Sequence, residues 1–188
     1  MSLTKSSVSK AKPGVFNYSS PGAGTDPHMA AELFKVMAKI DLEQVPFKGS
    51  GLGMISLIGG EVSVAFPTTP TVMPYLKNNR LRPLGVTSVK RAQVLPDVPT
   101  FKELGYPELV GTTWFSLSGP AKLPADIVQK LNAEITRIVA LPDVQARLRR
   151  DGFIAQPMNP AQFTKFVDDE NKRWKPLIEA AGLAGKGG

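Results

Sequence analysis

Asn17-Tyr18-Ser19-Ser20-Pro21-Gly22-Ala23-Gly24-Thr25-Asp26-Pro27-His28 carries a strand ending, a glycine loop and a helix start in one short run. Val15 to Tyr18 reads as a strand, and Ser19 to Gly24 as a turn whose glycines reach backbone conformations that other residues avoid. Asp26 is a good N-cap with Pro27 at the first helical position, and Ala30, Leu33, Phe34 and Met37 recur at helical spacing behind it. Strand, loop, capped helix is the first unit of the chain.

The unit repeats. Leu42 to Phe47 is expected as a strand, Lys48-Gly49-Ser50-Gly51 as a loop, and Met54 to Ile58 as a short helix stopped by Gly59-Gly60. Glu61 to Phe66 alternates as a strand does, Pro67 to Pro70 breaks it, Val72 to Lys77 makes a helix, and Leu84 to Thr87 supplies another strand. Strands alternating with helices over short loops predict a parallel α/β sheet, because parallel neighbours cannot be joined by a hairpin. A loop-rich passage through Pro96, Pro99 and Pro107 follows, with a short helix near Thr100 to Leu104 and an aromatic strand over Thr112 to Leu117. Three helices close the chain: one opened by Pro124 with a stripe of Ile127, Val128, Leu131, Ile135 and Ile138, one over Pro142 to Arg149, and one over Ala161 to Ala181. Only Phe153 to Gln156 reads as strand among them, so these helices need a sheet or core that their own segment does not supply.

Length and composition narrow the class. The 188 residues, 42% hydrophobic and 21% charged, are those of an ordinary folded chain. The absence of cysteine excludes disulfides, thiolate metal sites and Cys nucleophiles, and suits an oxidising compartment as well as a reducing one. No apolar run reaches the roughly 20 residues of a membrane helix. The net charge of +7 is uneven: Val62 to Pro96 holds Lys77, Arg80, Arg82, Lys90 and Arg91 and no acidic residue. Such a stretch is either a solvated basic face or a surface for anions. Only Tyr75 lies near it, so the interleaved aromatics of a nucleic-acid surface are missing.

Several chemistries fail on their residues. Lys48-Gly49-Ser50-Gly51-Leu52-Gly53 lacks the Gly-Lys-Ser/Thr ending of a phosphate loop and has Met54 in place of the last glycine of a dinucleotide fingerprint. His28 is the only histidine, which rules out a His-based metal cluster, and it reads as an exposed or capping residue of a first helical turn rather than a base. Ser50 is not in a nucleophile-elbow context, so no catalytic residue is assigned, and no cofactor or metal is expected. Ser19 to Thr25 remains as a binding device, bringing backbone N–H groups, hydroxyls and a helix N-terminus into one small volume. On spacing alone it is equally an ordinary capped turn. Ligands of open α/β sheets bind at the carboxyl ends of strands, where Ser19 to Thr25, Lys48 to Gly51 and Pro67 to Thr69 would converge.

Asn17 to Thr25, Val45-Pro46-Phe47-Lys48-Gly49-Ser50, Gly59-Gly60-Glu61-Val62, Leu84 to Arg91, Leu95 to Thr100 and Trp114-Phe115, in this order, resemble the Bug family. These are the periplasmic solute receptors of tripartite tricarboxylate transporters, and the resemblance runs from about Pro13 to Leu183. It implies a type II periplasmic-binding-protein-like α/β fold: one complete ligand-binding lobe over residues 15–117, and over 118–188 a mostly helical return into an incomplete second lobe. It implies a non-enzymatic receptor that carries a small carboxylate to a membrane permease in the periplasm, with no nucleic-acid partner. The family's ligand loop maps onto Ser20, Gly22, Ala23, Gly24 and Thr25; His28 follows it as a supporting or capping residue. Phe66, Pro67 and Thr68 complete the implied site.

Two departures qualify the resemblance. Family members that bind amino acids commonly carry Asp directly after the strand that ends here at Phe66, whereas this chain has Pro67, so the expected ligand is a carboxylate without an amine. The family's opening segment, with a second ligand-gripping loop, is not found, and residues 1–14 are expected to be a leader, Met1-Ser2-Leu3, and the end of a first-lobe helix. An uncovered face around Phe166, Trp174 and Leu177 would then favour a homodimer. A sensory or regulatory module that reuses the same lobe without transport is the alternative.

Overall fold

The computed structural model describes residues 16–180 and Gly182. The expected leader over 1–14, the Val15 start of the first strand and the Ala181 end of the last helix lie outside the described residues. Two compact units divide the chain: one takes the described residues through Thr113 with those from Leu177, and the other is Trp114–Pro176.

The first unit is built on three parallel strands, β1 (Asn17–Ser20), β2 (Glu43–Pro46) and β3 (Val64–Ala65), in the order β2-β1-β3. Tyr18 pairs with Gln44 on one side and Val64 on the other. Helices follow each strand: α1 (Asp26–Ala38), α2 (Ser50–Gly59) and α3 (Thr69–Lys77). β1 runs two residues further than the sequence suggested, because Ser19 and Ser20 keep neighbours in the ladder: Val45 and Pro46 on β2 and, for Ser19, Ala65 on β3. α2 begins four residues before Met54, at Ser50 behind its N-cap Gly49. It stops at Gly60, which at φ +79° lets the Glu61 N–H close on the Ser56 carbonyl at 3.0 Å.

Tyr18 and Ala31, both fully buried, and Leu42 form the centre of the core, with Phe34, Ile40, Val64 and Phe66 packed around them. Phe34 is the hub of an aromatic cluster, 5.7 Å from Phe66, 5.6 Å from Phe101 and 5.7 Å from Tyr106 between ring centroids. The strand expected at Leu84 to Thr87 is reduced to one parallel bridge, Val86 to Thr100. Pro83 has no N–H to give a ladder, and Gly85 lies under the Phe101 and Leu104 side chains. The passage Thr100 to Leu104 is a turn, not a helix, fastened by the Thr100 N–H and hydroxyl on Glu103.

In the second unit, α4 (Ala125–Val139), α5 (Pro142–Arg150) and α6 (Pro160–Ala180) appear close to the expected bounds. Asn159 and Gln162 exchange side-chain-to-N–H bonds of 2.9 Å in each direction, a capping box that starts α6. Trp114 packs edge-on to Phe163 and Phe166, and Phe115 to Phe153. Neither expected strand of this region forms: Thr112 to Leu117 has no ladder partner among the described residues. Phe153 instead ends α5, its N–H reaching the Leu148 carbonyl at 2.8 Å behind Gly152 at φ +81°. None of these helices holds a buried residue among those described, and Ile127, Leu131, Ile135 and Ile138 of α4 are 42%, 42%, 37% and 43% exposed.

Candidate functional site

Because the strands are parallel, all three end at one sheet edge, and each passes through a loop into a helix N-terminus. The N-caps of α1, α2 and α3 are Thr25, Gly49 and Thr68, and none makes a side-chain capping bond. The second residue of α1 and of α3 is a proline without an N–H, and the Thr71 N–H is taken by the Thr68 carbonyl at 3.1 Å; the first-turn N–H groups that remain free, with the positive ends of the helix dipoles, can attract an anion. A shallow cavity of about 10 Å³, room for one water-sized body, opens at this edge. Ser19, Ser20, Pro21 and Pro27 line it from the first unit of strand and helix, Gly49, Ser50, Gly53 and Met54 from the second, and Ala65, Phe66 and Pro67 from the third. No charged side chain is among them.

Of the residues expected at the site, Ser20, Phe66 and Pro67 line this cavity, whereas Gly22, Ala23, Gly24, Thr25, His28 and Thr68 do not. The loop between Pro21 and Pro27 is tied to itself. Gly22, at φ +140°, accepts on its carbonyl from the Ser20 hydroxyl at 3.0 Å and the Thr25 hydroxyl at 2.7 Å, and its N–H donates to Ser20 Oγ at 3.2 Å. The Ser20 and Thr25 hydroxyls thus shape the loop. Its unengaged donors are the Ala23 and Thr25 N–H groups, which have no hydrogen-bond partner among the described residues. The Thr68 hydroxyl meets that of Thr71 at 2.9 Å.

His28 differs most from its sequence reading. It is 2% exposed, stacked at 24° on Tyr18 with centroids 6.4 Å apart, and its Nδ1 accepts the Gly24 N–H at 3.1 Å. Burial lowers its pKa from the usual value; Glu32 opposes that and Lys35 adds to it. The fully buried Tyr18 phenol donates to Glu32 Oε1 at 2.7 Å, and the same oxygen takes Lys35 Nζ at 2.9 Å. Burial and the neighbouring carboxylate hold the phenol's pKa far above its ordinary value. Glu32 was not singled out from the sequence, although its place one turn after His28 on α1 was a signal. Gly49 and Ser50 belong to the Lys48 to Gly51 loop expected at the same edge, whereas Pro27, Gly53 and Met54 were not named there. Among the described residues, no group of three or more His, Cys, Asp or Glu is placed to hold a metal ion.

Residues 5–183 match a family described as the tripartite tricarboxylate transporter family receptor. Protein BugT of Bordetella pertussis is 31% identical over 173 residues, which are 92% of this chain and 53% of BugT, so the chain spans about half that relative's length. Among solved structures, R. palustris Rpa4515 with adipate superposes with a TM-score of 0.87 at 29% identity over 95% of this chain and 59% of its own. The periplasmic binding protein BugD gives 0.84 at 25%, over 95% and 60%. MatC from Rhodopseudomonas palustris with bound malate gives 0.80 at 27%, over 93% and 60%. The α/β fold is that of the periplasmic solute-binding proteins. With a match that leaves only a few residues uncovered at either end, this chain belongs to the tripartite tricarboxylate transporter receptor family, the Bug proteins.

Proposed function

We propose that this chain forms part of a periplasmic solute receptor that holds a small carboxylate without an amine and passes it to a membrane permease, with no catalytic step. The observation that carries the reading is the meeting of three strand-to-helix loops at a cavity with no charged lining. Neutral N–H donors and helix dipoles suit a carboxylate. An ammonium would need an acceptor, and Pro67, which lines the cavity, offers no side-chain oxygen. Adipate and malate, named with two of the similar structures, are both dicarboxylates without an amine. In this reading Ser20, Gly22, Ala23, Gly24 and Thr25 form the carboxylate loop, His28 supports it from beneath, and Phe66, Pro67 and Thr68 bound the ligand on the β3 side. The face around Phe166, Trp174 and Leu177, expected to cover a second copy, is half-buried, so the contact between two copies of the chain is read instead onto the exposed α4 stripe and the Trp114 and Phe115 surface.

The test is a thermal-shift panel of mono-, di- and tricarboxylates and amino acids. It uses this chain and a version extended at its N-terminus with the matching region of a longer relative, because a ligand that binds only the native state raises stability with its concentration. Dicarboxylates should stabilise the extended protein while aspartate and glutamate do not, and Pro67→Asp should introduce a response to the amino acids. Tight aspartate binding by the unmodified protein overturns the amine-free assignment, and the absence of any carboxylate response overturns the receptor reading.

A further inference from the structure

We infer that His28 is the positioning residue of the carboxylate loop: its neutral ring, through Nδ1, anchors Gly24 and so aims the Ala23 and Thr25 N–H groups, and protonating that ring releases them. The inference rests on the reading of Gly22 to Thr25 as the carboxylate cradle.

The geometry leaves the ring one role at a time. The Gly24 N–H points at Nδ1 from 3.1 Å, so Nδ1 must present a lone pair and the ring hydrogen must sit on Nε2. A protonated ring has a donor on both nitrogens and would set N–H against N–H at that separation. The ring cannot turn away into solvent without leaving its stack on Tyr18, since only 2% of the residue is exposed. Gly24 itself sits at φ +74°, which glycine adopts without strain but without preference, so the bond to Nδ1 selects it. The hydroxyl bonds of Ser20 and Thr25 fasten the Gly22 side of the loop, whereas His28 alone among the side chains binds Gly24.

The groups facing His28 decide how it titrates. On β1 it meets the Tyr18 phenol, which donates to Glu32; on its own helix Glu32 and Lys35 lie one and two turns on, already paired at 2.9 Å. The Glu32 carboxylate, engaged by two donors, favours an imidazolium, but burial acts against it more strongly and Lys35 acts against it as well. The neutral ring is the resting state near neutral pH.

The chain has a single histidine, so a long-range proton–nitrogen NMR spectrum reports this ring alone. At about pH 7.5 the ligand-free protein should show an unprotonated Nδ1 and a protonated Nε2. Solvent exchange of the Gly24 amide should rise as the ring titrates at lower pH. Adipate affinity of the extended protein should fall severalfold between roughly pH 7.5 and pH 5.5, by less than the factor of about ten that a ring titrating at its ordinary 6.5 would give, since burial lowers this one. His28→Asn, whose Oδ1 can accept the Gly24 N–H without titrating, should bind with no such fall. His28→Ala should bind about tenfold more weakly at both pH values. A protonated Nδ1 at the higher pH, a Gly24 amide indifferent to the titration, or the same pH profile in His28→Asn as in the unmodified protein would overturn the inference while leaving the receptor reading intact. Spectra as expected, with no carboxylate bound at either pH, would overturn the carboxylate reading and the inference with it.

Discussion

Gly53 marks the closest approach of α2 to β1: a Cβ placed on it would lie 3.0 Å from Ser19 Cβ and 3.1 Å from Ser19 Oγ. Those neighbours belong to a buried residue on the central strand and cannot yield without moving the sheet edge. Gly53→Ala should therefore destabilise the protein by about 1–3 kcal/mol, read as a lower urea midpoint at an unchanged slope. Glu103 offers a different kind of check. The Arg91 guanidinium, then the Thr100 N–H, hold its carboxyl down to about 2. Its folded pKa is depressed, so its contribution to stability is present above the ordinary value of 4.5 and is lost as pH falls through about 2. A carbon-detected NMR titration should find that low midpoint, and Arg91→Ala should raise it toward the ordinary value. His28 shows what a single residue hides in sequence. Its helical position was legible, but its burial depends on Tyr18 and Gly24, which are brought to it by the fold rather than by spacing along α1.

Elements were legible where local chemistry alone decides them. Proline in the first helical turn starts α1 and α5, and glycine ends α2 at Gly60 and follows α5 at Gly152, signals that the sequence carries directly. Asn159 and Gln162 make the same kind of local pair at the head of α6. Asn159→Ala removes the half of that capping box in which Asn159 Oδ1 accepts the Gln162 N–H, and should cost about 1 kcal/mol, measurable as a lower midpoint in thermal melts followed by helical circular dichroism. Strands were less legible, because a strand exists only when a neighbour completes its ladder. The short apolar run at Leu84 to Thr87 and the aromatic run at Thr112 to Leu117 have the right residues, yet one keeps a single bridge and the other none. The site follows the same rule. The three loops were visible as glycine and proline punctuation, and their meeting was predictable from the parallel sheet, whereas the inward turn of the Ser20 and Thr25 hydroxyls onto Gly22 was not.

For the whole molecule, the two units differ in how they keep apolar surface from water. The first closes on Tyr18, Ala31 and the Phe34 cluster, while the second leaves its α4 stripe and Phe115, 76% exposed, open among the described residues. Each large side chain that becomes fully buried contributes roughly 1.5–3 kcal/mol, so a second copy of the chain can gain appreciably by covering this surface. Light scattering at micromolar concentration should give twice the mass of one chain, and Leu131→Glu should return it to a single mass; one chain's mass for the unmodified protein would exclude the dimer. The uncharged cavity has a consequence for the conditions in which the protein operates. Mobile ions screen a lysine or arginine at long range but change short-range hydrogen bonds from backbone N–H groups less. A carboxylate held in this way would be captured almost equally in dilute and in concentrated salt, which suits a receptor working in a compartment whose ionic strength follows that of the surroundings.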